Sequence, residues 1–302
     1  MKAMNLLSVV GVASLVLQTS LVFAAGPADS ATLARIKESG TISIGHRTSS
    51  IPFSYYDSNQ KVIGFSQDIC DKVIAEVRKQ TGAQNLQVRM VPVTSQNRIS
   101  LVQNGTVDLE CGVTTNLKSR QQQVAFSTTF FVAGTRLLVK KGSPIHDFSD
   151  LTGKTVVTNA GTTSERILRK LNDEKKTNIT IQSAKDYGES FLILQSGRVA
   201  AFMMDDVLLS GAKTLATNPA EWTVVGTPQS FEAYGFMMRR DDPEFKKLVD
   251  GVITNLMKSG EIQRMYDKWF SKPIPPKNVS FDFPMSAAVK RAYEQPNDEA
   301  FE

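Results

Sequence analysis

The chain has 302 residues, with 35 Lys and Arg against 30 Asp and Glu, for a formal net charge of +5. The basic residues are spread along the sequence rather than gathered in runs, which fits solubility and attraction to small anions better than nucleic-acid binding. The two histidines, His46 and His146, do not combine with Cys70 and Cys111 at a zinc-site spacing, and no GxSxG, Walker or dinucleotide fingerprint is present.

The chain opens with MKAMNLLSVVGVASLVLQTSLVFAAG: one Lys, an apolar run and a small-residue end. That pattern predicts a signal peptide over residues 1–24, cleaved after Ala24. A membrane anchor is the alternative, but Ser14, Gln18, Thr19 and Ser20 interrupt the run and no basic stop follows it. No later stretch is long and apolar enough to span a bilayer. The remaining residues suffice for two lobes of ordinary domain size.

TLARIKESG then reads as a helix ending at Gly40, and TISIG as a strand with His46 and Arg47 at its carboxyl end. IPFSYYDSNQKVIGFS reads as an extended segment, a turn at residues 57–59 and another strand. GFSQDICDKVIAEVRKQTG is a helix with Cys70 beside Val73, Ile74 and Val77 on its apolar stripe. LQVRMVPV is the next strand.

It feeds TSQNRISLVQNGTVDLECGVTTNLKSRQQQVAFS, residues 94–127. Thr94 or Ser95 can cap a helix that Asn104-Gly105 stops. Val107 to Val113 is an apolar strand, and Asn116 can cap a further turn that brings in Arg120. Ser95 and Arg98, three apart, share a helix face. Thr114, Thr115 and Arg120 lie just past a strand's carboxyl end, where open α/β sheets bind ligands. Hydroxyls, helix-start N–H groups and a guanidinium suit a carboxylate.

The second half repeats the order. FFVAGTRLLVKKG is extended, and FSDLTGKTVVTNAGTTSERILRKLNDE gives a loop, a strand, a Gly-marked turn and a helix. Ile179 to Ile181 is a strand, YGESFLILQSG a helix, VAAFMMDD an apolar strand opening a helix, and WTVVG another strand. Two β-α-β-α-β series predict an α/β fold of two lobes. The expected crossings lie near Phe131–Thr135 and Glu232–Phe236, giving lobe 1 residues 25–132 and 234–302 and lobe 2 residues 133–233. DPEFKKLVDGVITNLMKSG and EIQRMYDKWF are helices that complete lobe 1. IPPKN and the tail read as a surface wrap.

The pattern NGxxDxxxGxTxxxxxRxxxxxFS resembles the core signature of the periplasmic polar amino-acid-binding proteins of ABC importers. GHRTSSIPFSYYD, TSQNR, LVQNGTVDLECG, GTTSE, AFMMDD, EAYGFMMRRDDPEFKKL and KWFSKPIPPKN resemble the glutamate/aspartate-binding members of that family, over nearly the whole mature chain. The resemblance implies a type II periplasmic binding protein fold, each lobe a mostly parallel sheet with flanking helices, joined by two hinge strands. It implies capture of L-glutamate or L-aspartate by a monomer and delivery to an inner-membrane ABC permease, without cofactor or covalent chemistry.

By the same resemblance, Arg120 and Thr115 grip the α-carboxylate, with Thr163 adding donors from the other lobe. Arg47, Ser95 and Arg98 hold the side-chain carboxylate. Asp206, or Asp205 if the register shifts by one, pairs the ammonium. Val113 stands where the family has a hydroxyl residue, its carbonyl left to serve the ammonium. Tyr187 stands where the family has a histidine, and keeps a donor without a cation. These departures leave the choice among aspartate, glutamate and their amides open. The relatives pair the cysteine of ECG with one at the position of Phe236, so that bridge cannot form here. Cys70 and Cys111 are then either bridged or two buried thiols. A glutamine/asparagine binder, a ligand-sensing module and a dehydratase on the same scaffold are the other readings. The dehydratase would need a general acid and base facing the cleft.

Overall fold

The computed structural model describes residues 30–301. The expected signal peptide, residues 1–24, lies outside them. One side chain can cap the first helix, and it does: Ser30 Oγ accepts from Leu33 N–H ahead of Ala31–Ser39, and Gly40 closes that helix at φ 64°.

Strand Thr41–His46 pairs in parallel with Gln87–Pro92 on one side and with Leu109–Thr115 on the other. Helix Phe65–Thr81 covers them, burying Ile69, Val73, Ile74 and Val77. Its Cys70 is bridged to Cys111 with a Cα separation of 6.0 Å, which closes the question the sequence left open. The segment after Arg47 is not part of this sheet. It folds as a small antiparallel meander of Ser49–Ser50, Ser54–Tyr56 and Val62–Ile63.

The strand expected at residues 107–113 falls instead at Leu109–Thr115. Val107 N–H is taken by Leu101 O, closing the turn after the short helix Arg98–Gln103, and pairing starts only beyond it. Asn116 is not a helix cap. Leu117 holds that position, and Asn116 Nδ2 donates to Asp298 O.

In the second part of the sheet Thr155–Asn159 pairs in parallel with both Thr180–Ala184 and Ala201–Asp205. Trp222–Val225 does not extend this parallel series as the sequence order suggested. It pairs antiparallel with Phe131–Lys140, which also runs antiparallel to Ala201–Asp205.

The two parts join through two strands. Phe131–Gly134 and Phe231–Tyr234 lie antiparallel to each other, and the strand Phe231–Met238 continues against Leu109–Thr115. The backbone ladder therefore runs unbroken through a ten-stranded sheet. Aromatic rings fill the junction: Phe53 to Phe131 at 4.9 Å between centroids, Phe131 to Tyr234 at 5.8 Å, and Tyr266 to Phe270 at 4.3 Å.

Helices Pro243–Lys258 and Glu261–Phe270 return to the first part. The tail is more than a wrap. It holds the helix Ala287–Glu294, with Val289 and Ala292 buried, and its end ties back through Thr129 N–H to Asn297 O and Phe301 N–H to Asn116 O.

Helix Asp206–Lys213 sits against the meander so closely that a Cβ on Gly211 would fall 2.0 Å from Ile51 O. Gly to Ala inside a helix ordinarily stabilises by about 1 kcal/mol. Gly211→Ala is expected instead to destabilise by about 1–3 kcal/mol, because backbone on both sides must give way. Gly251→Ala, in a helix where an added Cβ meets nothing within 4 Å, is the control that should not destabilise. Denaturant unfolding of the two variants beside the parent measures both.

Candidate functional site

Three arginines come together between the two parts of the sheet. Arg47 follows the end of the Thr41–His46 strand, where its N–H donates to Ser54 Oγ at 2.9 Å. Its Nη1 donates to Ser95 Oγ at 3.0 Å, and its guanidinium carbon lies 5.1 Å from the centre of the Tyr187 ring. Arg98 opens its helix and donates from Nη1 to Val113 O at 3.3 Å, while its buried Nε has no acceptor. Arg120 donates from Nη1 to Thr115 O at 2.9 Å and from Nη2 to Gly161 O, across the cleft, at 3.5 Å.

Arg47, Ser95, Arg98, Val113, Thr115, Arg120, Thr163 and Tyr187 are all buried. The first six come from the first part of the sheet and its loops. Thr163 and Tyr187 open helices Thr163–Lys175 and Tyr187–Gln195 of the second part. Ser49 Oγ also reaches Asp186 across the gap, at 3.3 Å. The contacts form three groups, Arg47 with Ser95 and Tyr187, Arg98 with Val113, and Arg120 with Thr115 and, through Glu232, Thr163.

Asp206 is in none of these groups. Its carboxylate accepts from Gly134 N–H of the crossing strand at 3.3 Å and from the adjacent Val207 N–H at 2.7 Å. Asp205, the last residue of its strand, is the one that joins the cluster. It is 2% exposed and accepts from Tyr234 OH and from Thr135 Oγ1. Successive side chains at a strand end leave on opposite sides, so a one-residue register decides which carboxylate reaches the site.

Two more buried acids belong here and carry no sequence signal beyond a charge in an apolar strand. Glu110 is fully buried; its Oε2 accepts from Thr114 Oγ1 at 2.8 Å and its Oε1 has no partner. Gly45 and Gly112 make room for it. A Cβ on Gly112 would sit 2.1 Å from Glu110 Oε1 and 3.2 Å from Arg47 Cγ. Glu232, in the second crossing strand, accepts from Thr115 Oγ1 at 2.5 Å, Thr163 Oγ1 at 2.8 Å and Ser230 Oγ.

Burial dominates the electrostatics. It lowers the Arg98 pKa; the Glu110 charge opposes that shift and Arg47 adds to it. Burial and then the Arg98 charge bring Arg120 down to about 9. Burial raises Asp205 well above the usual carboxylate range, with the Glu232 charge second, while the Tyr234 hydroxyl works against it. The ion pairs of the described residues lie elsewhere, so none of these guanidiniums is neutralised by direct contact with a carboxylate. Such a cluster favours an anion near the arginines and a cation near Asp205 and Glu232. No group of His, Cys, Asp and Glu among the described residues is arranged to hold a metal. A groove of about 400 Å³ reaches Arg120 and Thr163 from the surface, flanked by Arg166 and Arg169.

Residues 42–272 match the family of bacterial extracellular solute-binding proteins, family 3. The chain is 54% identical over 276 residues to a glutamate/aspartate import solute-binding protein of Escherichia coli strain K12, covering 91% of each chain. It is 56% identical over 272 residues to an L-glutamate/L-aspartate-binding protein of Pseudomonas aeruginosa, covering 90% of each. Among solved structures, a mutant of ArgBP from T. maritima superposes with a TM-score of 0.70 at 25% identity, over 80% of this chain and 100% of that one.

The Glu110 pocket yields a direct check. Gly112→Ala is expected to push the carboxylate off Thr114 and toward Arg47, costing about 1–3 kcal/mol of stability. Gly112→Ala combined with Glu110→Ala removes the clash, so the pair should be non-additive in chemical denaturation.

Proposed function

This chain belongs to family 3 of the bacterial extracellular solute-binding proteins, and we propose that it captures an acidic amino acid, glutamate or aspartate, and delivers it to the permease of an ABC importer. It has the two-lobed, type II periplasmic binding protein fold, as do the proteins it is similar to. No described helix is long and apolar enough to cross a membrane. The reading includes export by a signal peptide over residues 1–24 and work in the periplasm.

The observation that carries the reading is the burial of Arg47, Arg98 and Arg120 in one cluster with no carboxylate among the described residues paired to any of them. An acidic amino acid brings two carboxylates and one ammonium. The distal carboxylate goes to Arg47, Ser95 and Arg98, and the α-carboxylate to Arg120 and the backbone donors beside Thr115 and Thr163. The ammonium goes to Asp205 rather than Asp206. Val113 O, which accepts one hydrogen bond from Arg98, keeps a second lone pair for it. The names of the relatives from Escherichia coli and Pseudomonas aeruginosa support the same ligand class.

The lobes in this reading are residues 25–132 with 234–302, and residues 133–233. Since both supply ligand contacts, the ligand stabilises the closed arrangement about the paired crossing strands. Two charged contacts plus closure should reach micromolar binding or tighter, about −8 kcal/mol. Calorimetry of ligand-stripped protein with aspartate, glutamate, asparagine and glutamine tests this. No heat and no thermal shift with any of the four would refute it.

The two arginine clusters separate by substitution. Arg98→Ala is expected to cost about 2–5 kcal/mol of binding for aspartate and glutamate, and much less for the neutral amides. Arg120→Ala should weaken all four alike, because each presents an α-carboxylate. Equal losses for Arg98→Ala across the four ligands would mean that the ends of the ligand are assigned the wrong way round.

A further inference from the structure

Glu232 lies on the second crossing strand, opposite Ala133, where the two parts of the sheet meet. It is 2% exposed. Its Oε2 accepts from two hydroxyls, Thr115 Oγ1 at 2.5 Å and Thr163 Oγ1 at 2.8 Å, one from each side of the cleft. Its Oε1 accepts from Ser230 Oγ, and Thr135 Oγ1 lies 3.4 Å away with a single proton to give to either Glu232 or Asp205. A carboxylate can only accept, and a hydroxyl has one proton and two lone pairs. Each threonine that gives its proton to Glu232 therefore has only lone pairs left to present to anything else.

That has a chemical consequence for the ligand. A hydroxyl oxygen with its proton turned away repels a carboxylate oxygen and attracts an N–H. Thr115 and Thr163 would then be acceptors for an ammonium rather than donors to the α-carboxylate. Asp205 lies in the same cluster, beside Thr135 Oγ1 and Tyr234 OH, and supplies further acceptor oxygens. Arg120 keeps to the other side of Thr115, on its carbonyl oxygen.

We propose that Glu232 is a positioning residue: it takes the hydroxyl protons of Thr115 and Thr163, turns both oxygens into acceptors, and so makes the site demand an α-ammonium group. The proposal rests on the acidic amino-acid reading and goes beyond it, naming what enforces selection for the amino group over a plain dicarboxylate. Its dependence on closure follows from the origins of the three residues, because the bridge exists only while the two sides are together.

The test compares L-glutamate with glutarate, the same dicarboxylate without the amino group, by calorimetry on the parent protein and on Glu232→Gln. The carboxamide removes the charge and offers N–H donors, which frees a threonine proton to point into the cleft. The expected result is a loss of glutamate affinity of at least about tenfold, with glutarate unchanged or tighter, so that discrimination by the amino group falls by at least about tenfold. Equal losses for both ligands, or an unchanged ratio, would overturn the proposal and leave Glu232 a structural residue. Thr115→Val gives a second arm if Glu232→Gln does not fold. Removing an acceptor oxygen should hurt glutamate and spare glutarate, whereas removing a carboxylate donor would hurt both alike and refute the proposal. A parent protein that binds neither glutamate nor aspartate would refute the acidic amino-acid reading itself, a result distinct from any change in the ratio.

Discussion

Burying a guanidinium costs several kcal/mol unless its donors and its charge are met, and this fold buries three of them side by side. The rest of the molecule is arranged around that cost. Carbonyl oxygens of Val113, Thr115 and Gly161 take some of the donors, and the Ser95 hydroxyl takes another. The Tyr187 ring faces Arg47. Glu110 supplies a negative charge from inside the sheet without touching any of them as an ion pair, and it fits only because residues 45 and 112 are glycines. The compensation is incomplete by construction. Arg98 Nε and Glu110 Oε1 are both buried and unmatched, and Arg120 is shifted far from an arginine's usual value. A site left short of negative charge in this way is selective for ligands that bring it.

The crossing strands connect this electrostatics to the mechanics. Glu232 and Tyr234 are two apart on one strand and so lie on the same face. Glu232 bridges Thr115 and Thr163, and Tyr234 donates to Asp205. Tyr234 also stacks on Phe131 of the partner crossing, within the ring cluster of Phe53, Phe65, Tyr266 and Phe270. A rotation of one part of the sheet against the other must therefore disturb the buried polar cluster. The crossing strands and the buried polar cluster share residues, so in the proposed clamp occupancy can act on closure without an intermediate pathway.

Much of this was legible in the chain. Arg47, Arg98 and Arg120 follow a strand end, open a helix and enter a helical turn, and each position is marked by local signals that do not depend on the rest of the fold. What the sequence misplaced depended on distant partners. The strand at Leu109–Thr115 begins two residues late because Val107 is spent on a turn. Asn116 reads as a cap but is claimed by the tail. Trp222–Val225 looks like another parallel strand, yet its neighbour is the crossing strand. The choice between Asp205 and Asp206 turns on one residue of register. Glu110 and Glu232 were invisible for a related reason. A buried acid is informative only once its surroundings are known, and those come from glycines and threonines scattered over more than a hundred residues.

The same distant partners explain why one side of the cleft is held more firmly than sequence alone suggests. Cys111 is bonded to Cys70 of the covering helix, and Ser66 Oγ of that helix donates to Gly112 O. Just beyond, Asn116 and Thr129 are fastened by Asp298, Asn297 and Phe301 of the tail, and Asn116 N–H donates to Ala233 O of the crossing strand. The segment carrying Val113, Thr115 and Arg120 is thus pinned at both ends. Donors fixed in advance lose little freedom when a ligand arrives, so more of the contact energy is left for affinity and for drawing in the other side. The second side meets the arginine cluster through helix starts at Thr163 and Tyr187, whose orientation is set within its own sheet. That division, a braced arginine wall and a separately built wall of helix starts, is the arrangement that the proposed rigid-body closure about two strands would use.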